Sequence, residues 1–112
     1  MMTIAAFILI ATLAQKVDDA EAIRRTIAVE SNAIERSPDD TDALYRLGLA
    51  YLTLGDAKKA IKSLEALLVH DAESVDGILL LAKAYRLSGD AHRATALLDR
   101  SIDRMPELVS LH

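Results

Sequence analysis

Residues 41–72 read TDALYRLGLAYLTLGDAKKAIKSLEALLVHDA, and residues 75–106 read VDGILLLAKAYRLSGDAHRATALLDRSIDRMP. The second stretch repeats the first at an offset of 34 residues. The aligned identities are Asp42/Asp76, Leu47/Leu81, Ala50/Ala84, Tyr51/Tyr85, Gly55/Gly89, Asp56/Asp90, Ala57/Ala91, Ala60/Ala94 and Leu64/Leu98. A fixed period of this length is typical of stacked helical hairpins, an architecture that builds binding surfaces more often than active sites.

The composition fits one small folded domain. The chain has 112 residues, of which 52% are hydrophobic and 27% are charged, so it can bury a core. Aromatic residues make up only 4%, which leaves Leu, Ile and Ala to fill that core. There is no cysteine, which excludes disulfides and thiolate chemistry. A formal net charge of −4 argues against a nucleic-acid partner, whose binding depends on neutralising phosphates.

The first 14 residues, MMTIAAFILIATLA, carry no charged side chain. As a helix they would span about 21 Å, short of the roughly 30 Å hydrocarbon core of a bilayer. Three interpretations are open: a signal peptide cleaved before Gln15, a helix that packs on the repeats, and a membrane anchor. Small residues before Gln15 favour the signal peptide, and the lack of Lys or Arg ahead of the apolar run counts against it. A signal peptide predicts a periplasmic or secreted protein, and the other two interpretations a membrane-associated or cytoplasmic one.

Residues 15–37 are predicted to form a capping or degenerate-repeat helix. Ile23, Ile27 and Ile34 recur near helical spacing, and Glu30, among other charged residues, is expected to lie outside their stripe. Since nothing between Thr3 and Ser37 interrupts a helix, the apolar segment and this helix are compatible with one continuous element. Pro38 stops the helix, and Asp40 or Thr41 can cap the next one.

Four more helices are predicted from the apolar spacing and the turn residues. They cover Asp42–Leu54, Ala57–His70, Asp76–Leu87 and Ala91–Met105. Gly55 and Gly89 can close a helix in the left-handed conformation, and the Asp that follows each can cap the next helix. Small residues are expected to let the paired helices approach closely, with Tyr51 and Tyr85 filling the space beside them; the small residues are Gly48, Ala60, Ala82 and Ala94.

This pattern resembles the tetratricopeptide repeat, a 34-residue helix–turn–helix unit. The matches are Leu47-Gly48, Tyr51, Gly55-Asp56, Ala60 and Leu64, then Leu81-Ala82, Tyr85, Gly89-Asp90, Ala94, Leu98 and Pro106. The resemblance implies an all-α fold of antiparallel helical hairpins stacked as a short α-solenoid, with repeats at 41–74 and 75–108. Leu44 and Ile78 replace the family's aromatic residue in the first helix, and Ala72 replaces the closing proline.

The resemblance also implies a concave groove that takes a peptide or protein segment. Its candidate residues are Asp42, Tyr45, Leu49, Leu52, Asp76, Leu79, Lys83 and Arg86. Apolar side chains would supply contact area, and Lys83 and Arg86 would pair with a carboxylate or carbonyl. The alternative for the three leucines is packing inside the stack. The family's Asn-and-Lys carboxylate clamp is not matched, because the only asparagine is Asn32, outside both copies.

Other polar residues give weaker signals. Arg93, Arg100 and Arg104 share a helix face that could meet an acidic partner or anionic headgroups, but interspersed aspartates favour a solvated face. His70, His92 and His112 lack the spacing of metal ligands, so no metal or cofactor is predicted. Neither a nucleophile–base set nor a phosphate loop is present in the sequence.

The second copy is more polar where a third would pack, with Ser88, Thr95 and Ser101 in place of apolar residues. We therefore expect the stack to end there. Some apolar surface would still be left, and a short final turn or else a second subunit would cover it; it comes from Leu98, Ile102, Leu108, Val109 and Leu111. The predicted function is a non-catalytic protein–protein interaction module, a scaffold or adaptor. The alternative is a structural unit that self-associates through its N-terminal helix and repeat ends.

Overall fold

The computed structural model describes residues 3–105 as five consecutive α-helices. They are α1 (Ile4–Arg36), α2 (Thr41–Thr53), α3 (Ala57–His70), α4 (Val75–Leu87) and α5 (Ala91–Arg104). The predicted all-α fold is confirmed, and the last four helices agree with the sequence prediction to within one residue at either end. The expectations for Pro106, Leu108, Val109, Leu111 and His112 lie outside the described residues.

Every helix begins at a side-chain cap. Thr3, Asp40, Asp56, Ser74 and Asp90 each accept a hydrogen bond from the backbone N–H three residues further on, at 3.0 to 3.2 Å. These bonds satisfy donors that the first helical turn leaves without a partner. Between the two residues proposed to cap α2, the structure selects Asp40.

The two hairpin turns have the same geometry. Gly55 and Gly89 adopt φ values of 83° and 90°, the left-handed region that favours glycine. In each turn the following aspartate donates its backbone N–H to a tyrosine carbonyl, Asp56 to Tyr51 and Asp90 to Tyr85, both at 2.8 Å. The repeat seen in the sequence is therefore a repeat in the backbone.

Successive helices pack against one another, and α2 also contacts α4. The core contains Leu44, Ala60, Leu64, Leu67, Ile78, Leu80, Leu81, Ala82, Ala84, Tyr85, Ala94, Leu97 and Met105. Gly48 marks the closest approach within the first hairpin, since a Cβ atom there would lie 2.7 Å from Leu64 Cγ and Cδ2. Ala60 is fully buried, in line with the predicted role of small residues.

Helix α1 is continuous through residues 14 and 15 and extends beyond the stack. Its C-terminal part packs on α2, as the second helix of a preceding repeat would. Its N-terminal part carries large apolar side chains that are exposed: Ile4, Phe7, Ile8, Leu9, Ile10, Leu13 and Val17. The interpretation of residues 1–14 as a helix packed on the repeats therefore has no support in these exposures. Among residues 3–105, no helix carries an apolar stretch long enough for a membrane span.

The prediction that Glu30 lies outside the apolar stripe of α1 is wrong. Glu30 is buried, and its carboxylate accepts two hydrogen bonds from Arg46 of α2, from Nε at 2.8 Å and from Nη2 at 3.1 Å. One period later the same positions are Leu64 and Leu80, both in the core. The paired geometry offsets the cost of burying a carboxylate, which a stripe of apolar residues alone does not reveal.

Candidate protein-binding surface

The eight predicted groove residues lie on the first helices of the two hairpins. Helix α2 carries Asp42, Tyr45, Leu49 and Leu52, and α4 carries Asp76, Leu79, Lys83 and Arg86. Leu49 and Leu79 are 45% and 57% exposed, so these two leucines are not interior packing residues. Leu52 is half-buried against the core, which fits the packing interpretation in part. Asp42, Asp76, Lys83 and Arg86 are exposed.

Three of these residues meet at one cleft of about 180 Å³ between the starts of α2 and α4. Its wall consists of Thr41, Asp42, Tyr45, Arg46, Leu67, Asp71, Ser74 and Asp76. We call it the acidic cleft, because three aspartates and one arginine line it. Tyr45, half-buried, gives this cleft an aromatic side wall.

The other groove candidates lie apart from the acidic cleft. Leu49 borders a separate cleft of about 230 Å³, together with Ile23 and Thr26 of α1. Leu79, Lys83 and Arg86 lie further along α4 at exposed positions. The predicted groove thus has an acidic end near the starts of α2 and α4 and a basic end near the C-terminus of α4.

Arg46 is a residue of this surface that the sequence prediction missed. It lines the acidic cleft while holding Glu30 from the side of α2. The hydrogen bond to Glu30 and the attraction of Glu30, Asp40 and Asp42 raise the pKa of Arg46, and partial desolvation opposes them. The signal was present in the sequence: an opposite charge pair stands at the two positions that are leucines one period later.

The tyrosines that close each hairpin differ in their surroundings. Lys59 Nζ lies 5.7 Å from the centre of the Tyr51 ring, and the Arg93 guanidinium lies 5.8 Å from that of Tyr85. Of the two, Tyr85 is the one that has an acidic hydrogen-bond partner within residues 3–105: its hydroxyl donates to Glu65 at 3.2 Å. Burial first, and then the neighbouring Glu65 carboxylate, raise the pKa of Tyr85.

The described side chains offer contacts for binding. Residues 3–105 contain no cluster of three or more His, Asp or Glu side chains that could hold a metal ion. His70 and His92 are exposed, and His112 lies outside this range. Exposed apolar, aromatic and charged groups on two neighbouring helices are the features of a recognition surface.

Comparisons with known proteins agree with this geometry. Residues 42–74 match the family model of the tetratricopeptide repeat. The BBSome complex member BBS4 of Bos taurus is 35% identical over 66 residues, which are 59% of this chain and 13% of that protein. The crystal structure of MamA protein superimposes with a TM-score of 0.71 at 21% identity, over 95% of this chain and 56% of that one. The chain thus spans a small part of the curated relative.

Capped hairpins of one period, stacked side by side, define an α-helical repeat protein. The matched model makes the assignment specific for one unit: residues 42–74 form a tetratricopeptide repeat, and the hairpin of α4 and α5 repeats its turn geometry. Tetratricopeptide repeats generally mediate protein–protein interaction, and their fold is typically a non-catalytic interaction module.

Proposed function

We propose that this protein is a non-catalytic scaffold or adaptor that binds a peptide or protein segment along α2 and α4. The observation that carries the proposal is the acidic cleft, where Asp42, Tyr45 and Asp76 meet. A half-buried tyrosine beside exposed carboxylates suits a side chain with an apolar stem and a basic head. The curated relative is a member of the BBSome complex, which is compatible with an adaptor role for this chain.

The charge distribution suggests an orientation for the bound segment. Asp42 and Asp76 would contact its basic part at the acidic cleft. Lys83 and Arg86, further along α4, would pair with a carboxylate or with backbone carbonyls. The exposed Leu49 and Leu79 would supply apolar contact area between these polar groups.

The test is a quantitative pull-down with three proteins. The wild type is compared with Tyr45→Ala/Arg86→Glu and with Val69→Ala/Lys58→Glu, a matched control whose two positions are exposed on α3. Each variant truncates one side chain to alanine and reverses the charge of one cation. We expect partners to be lost with the groove variant and retained with the control. An unchanged set of partners with the groove variant would contradict the proposal.

A second candidate function is self-association through α1, and the exposed apolar residues Ile4 to Val17 favour it. Burying such side chains between subunits would remove apolar area from water. Sedimentation of the full chain at micromolar concentration tests this, with Phe7→Glu/Leu13→Glu as the variant. A strict monomer in the wild type would exclude self-association.

The same apolar segment is also the basis for proposing an export signal or membrane association. Mass spectrometry of the mature N-terminus tests the export signal.

A further inference from the structure

A second surface, on the side of the second helices, carries a repeated pair of clefts. The first cleft, about 380 Å³, lies between α1 and α3 above α2. The second, about 200 Å³, lies between α3 and α5 above α4. Ile34 and Leu44 of the first correspond to Leu68 and Ile78 of the second, one period later. The apolar floors of the two clefts therefore correspond, whereas their cations stand at different positions of the repeat: Lys59 and Lys62 in the first, Arg100 and Arg104 in the second.

Both clefts combine an apolar floor with a cationic rim. The first has Leu44 and Leu47 in its floor and Lys59 and Lys62 at its edge. In the second the floor includes Ile78 and Leu97, both buried. Arg100 and Arg104 form its rim, and both are exposed. Among residues 3–105, no acidic residue lines either cleft.

The cationic rims of these two clefts contrast with the acidic cleft on the groove side. Lys59 is partly held by Asp56, at 3.9 Å, and Arg100 donates to the Ala96 carbonyl at 3.3 Å. Lys62 and Arg104 are exposed at the rims. The acidic cleft and the two cationic clefts therefore offer opposite charges to an approaching partner.

We infer that the two cationic clefts bind an acidic peptide segment whose apolar side chains enter the floors while its carboxylates pair with the rims. Recessed floors favour a peptide over a bilayer surface, because a flat array of headgroups reaches the rims but not Leu44 or Ile78. The apolar floors also favour a peptide over nucleic acid, whose phosphates need only the cations. This site is separate from the groove along α2 and α4, and its occupant has the opposite charge to one drawn to the acidic cleft.

The experiment measures fluorescence anisotropy of a short labelled peptide in which leucines are interspersed with glutamates. A second peptide keeps the leucines and carries lysines in place of the glutamates. The full chain is compared with Lys62→Glu/Arg104→Glu and with the control Lys16→Glu/Arg24→Glu, which reverses the same number of exposed cations away from both clefts and from the groove. Circular dichroism verifies folding, and Lys62→Ala/Arg104→Ala replaces the first variant if that variant does not fold.

We expect the acidic peptide to bind the wild type and the control alike. The cleft variant should bind on the order of tenfold more weakly, because like charges then meet at both rims. Binding should also weaken as salt is added. Equal losses in the cleft and control variants, or equal binding of the lysine peptide, would overturn the inference.

Lys83→Glu/Arg86→Glu is measured in parallel, and a loss confined to that variant would assign the acidic peptide to the groove and would also overturn the inference. Retention of the wild type by anionic phosphatidylserine vesicles, without binding of the peptide, would replace the inference by membrane attachment. None of these results affects the pull-down with the groove variant, so the two proposals fail independently.

Discussion

Glu30 and Arg46 join α1 to α2 at the two positions where Leu64 and Leu80 belong to the core one repeat later. The junctions α1–α2 and α3–α4 thus share a position in the repeat and differ in the force that holds them. Leucine burial depends on area and close packing, and contributes at any ionic strength. An ion pair with a half-exposed arginine is screened by salt and contributes less net stability.

The difference indicates that α1 is the more easily detached part of the stack. Its contact with α2 includes a partly buried polar pair, and the large apolar side chains of its N-terminal part are exposed. The α3–α4 junction, in contrast, contains the fully buried Leu64 and Leu67 and the Tyr85–Glu65 hydrogen bond. Local opening is therefore expected to begin at the first junction.

Truncating the leucine junction should have the largest effect. We expect Leu64→Ala to lower the free energy of unfolding by about 3 kcal/mol, since this side chain is fully buried. Urea denaturation followed by circular dichroism measures the loss. Leu98→Ala is the matched control, because Leu98 is the same position one repeat later and is only half-buried. Equal losses at the two positions would contradict the assignment of Leu64 to the central core.

Gly48 tests how tightly this leucine is enclosed. Gly48→Ala in the wild type should lower stability by about 1–3 kcal/mol, because its Cβ would overlap Leu64. In the Leu64→Ala background the same substitution should stabilise by up to about 1 kcal/mol, through the higher helix propensity of alanine. A double-mutant cycle measures the change of sign. An identical effect in both backgrounds would show that the close approach is not limiting.

Glu30→Gln should loosen the ionic junction while keeping its shape. We expect the backbone amides in the C-terminal half of α1 to exchange hydrogen on the order of tenfold faster, because a charged hydrogen bond is lost. The exchange of the α4 amides should be unchanged. High salt should reduce the difference between the variant and the wild type. Glu21→Gln is the control, since the Glu21–Arg25 pair on the same helix is exposed, at 3.7 Å. Faster exchange in that control would argue against a special role for Glu30.

Tyr85→Phe should have the smallest and most pH-dependent effect. Near neutral pH the loss of the bond to Glu65 should lower the free energy of unfolding by about 1 kcal/mol. The folded state raises the pKa of Tyr85, so it holds the phenol proton more tightly than the unfolded chain. The stability from this proton is therefore fully present below about pH 10, the ordinary pKa of tyrosine, and is lost as pH rises through the higher folded pKa.

Thermal unfolding at a series of pH values tests this expectation. The wild type should lose more stability than Tyr85→Phe above about pH 10, so that the two curves converge. Parallel curves over the whole alkaline range would show that the phenol proton does not contribute.

The helices and turns could be predicted from the sequence because their causes are local. Gly55 and Gly89 supply the left-handed turn residue, and Asp56 and Asp90 cap the helix that follows. The 34-residue period then requires the same hairpin twice. The groove candidates could be predicted only as positions on two helices. The resemblance of the sequence to a repeat family identifies those positions but does not give the shape of the groove.

The burial of Glu30 could not be predicted from its helix alone. Helical periodicity classifies a glutamate as solvent-facing, and only a partner 16 residues away on α2 makes its burial tolerable. The cationic clefts depend on the same kind of information, because Lys62 and Leu44 lie on different helices. A face shared by Arg100 and Arg104 indicates charge, but much of the apolar floor beside them, Leu68 and Ile78, comes from α3 and α4.

The sequence by itself determined that this chain is a stack of capped helical hairpins with a two-fold repeat, because caps, turns and apolar spacing act within a few residues. Only the tertiary structure decided which side chains meet across helices. It placed Asp42, Tyr45 and Asp76 around the acidic cleft, and gave the opposite side its cationic rims. The physical reason is that charge and apolar area become a binding surface only when packing brings separate helices together.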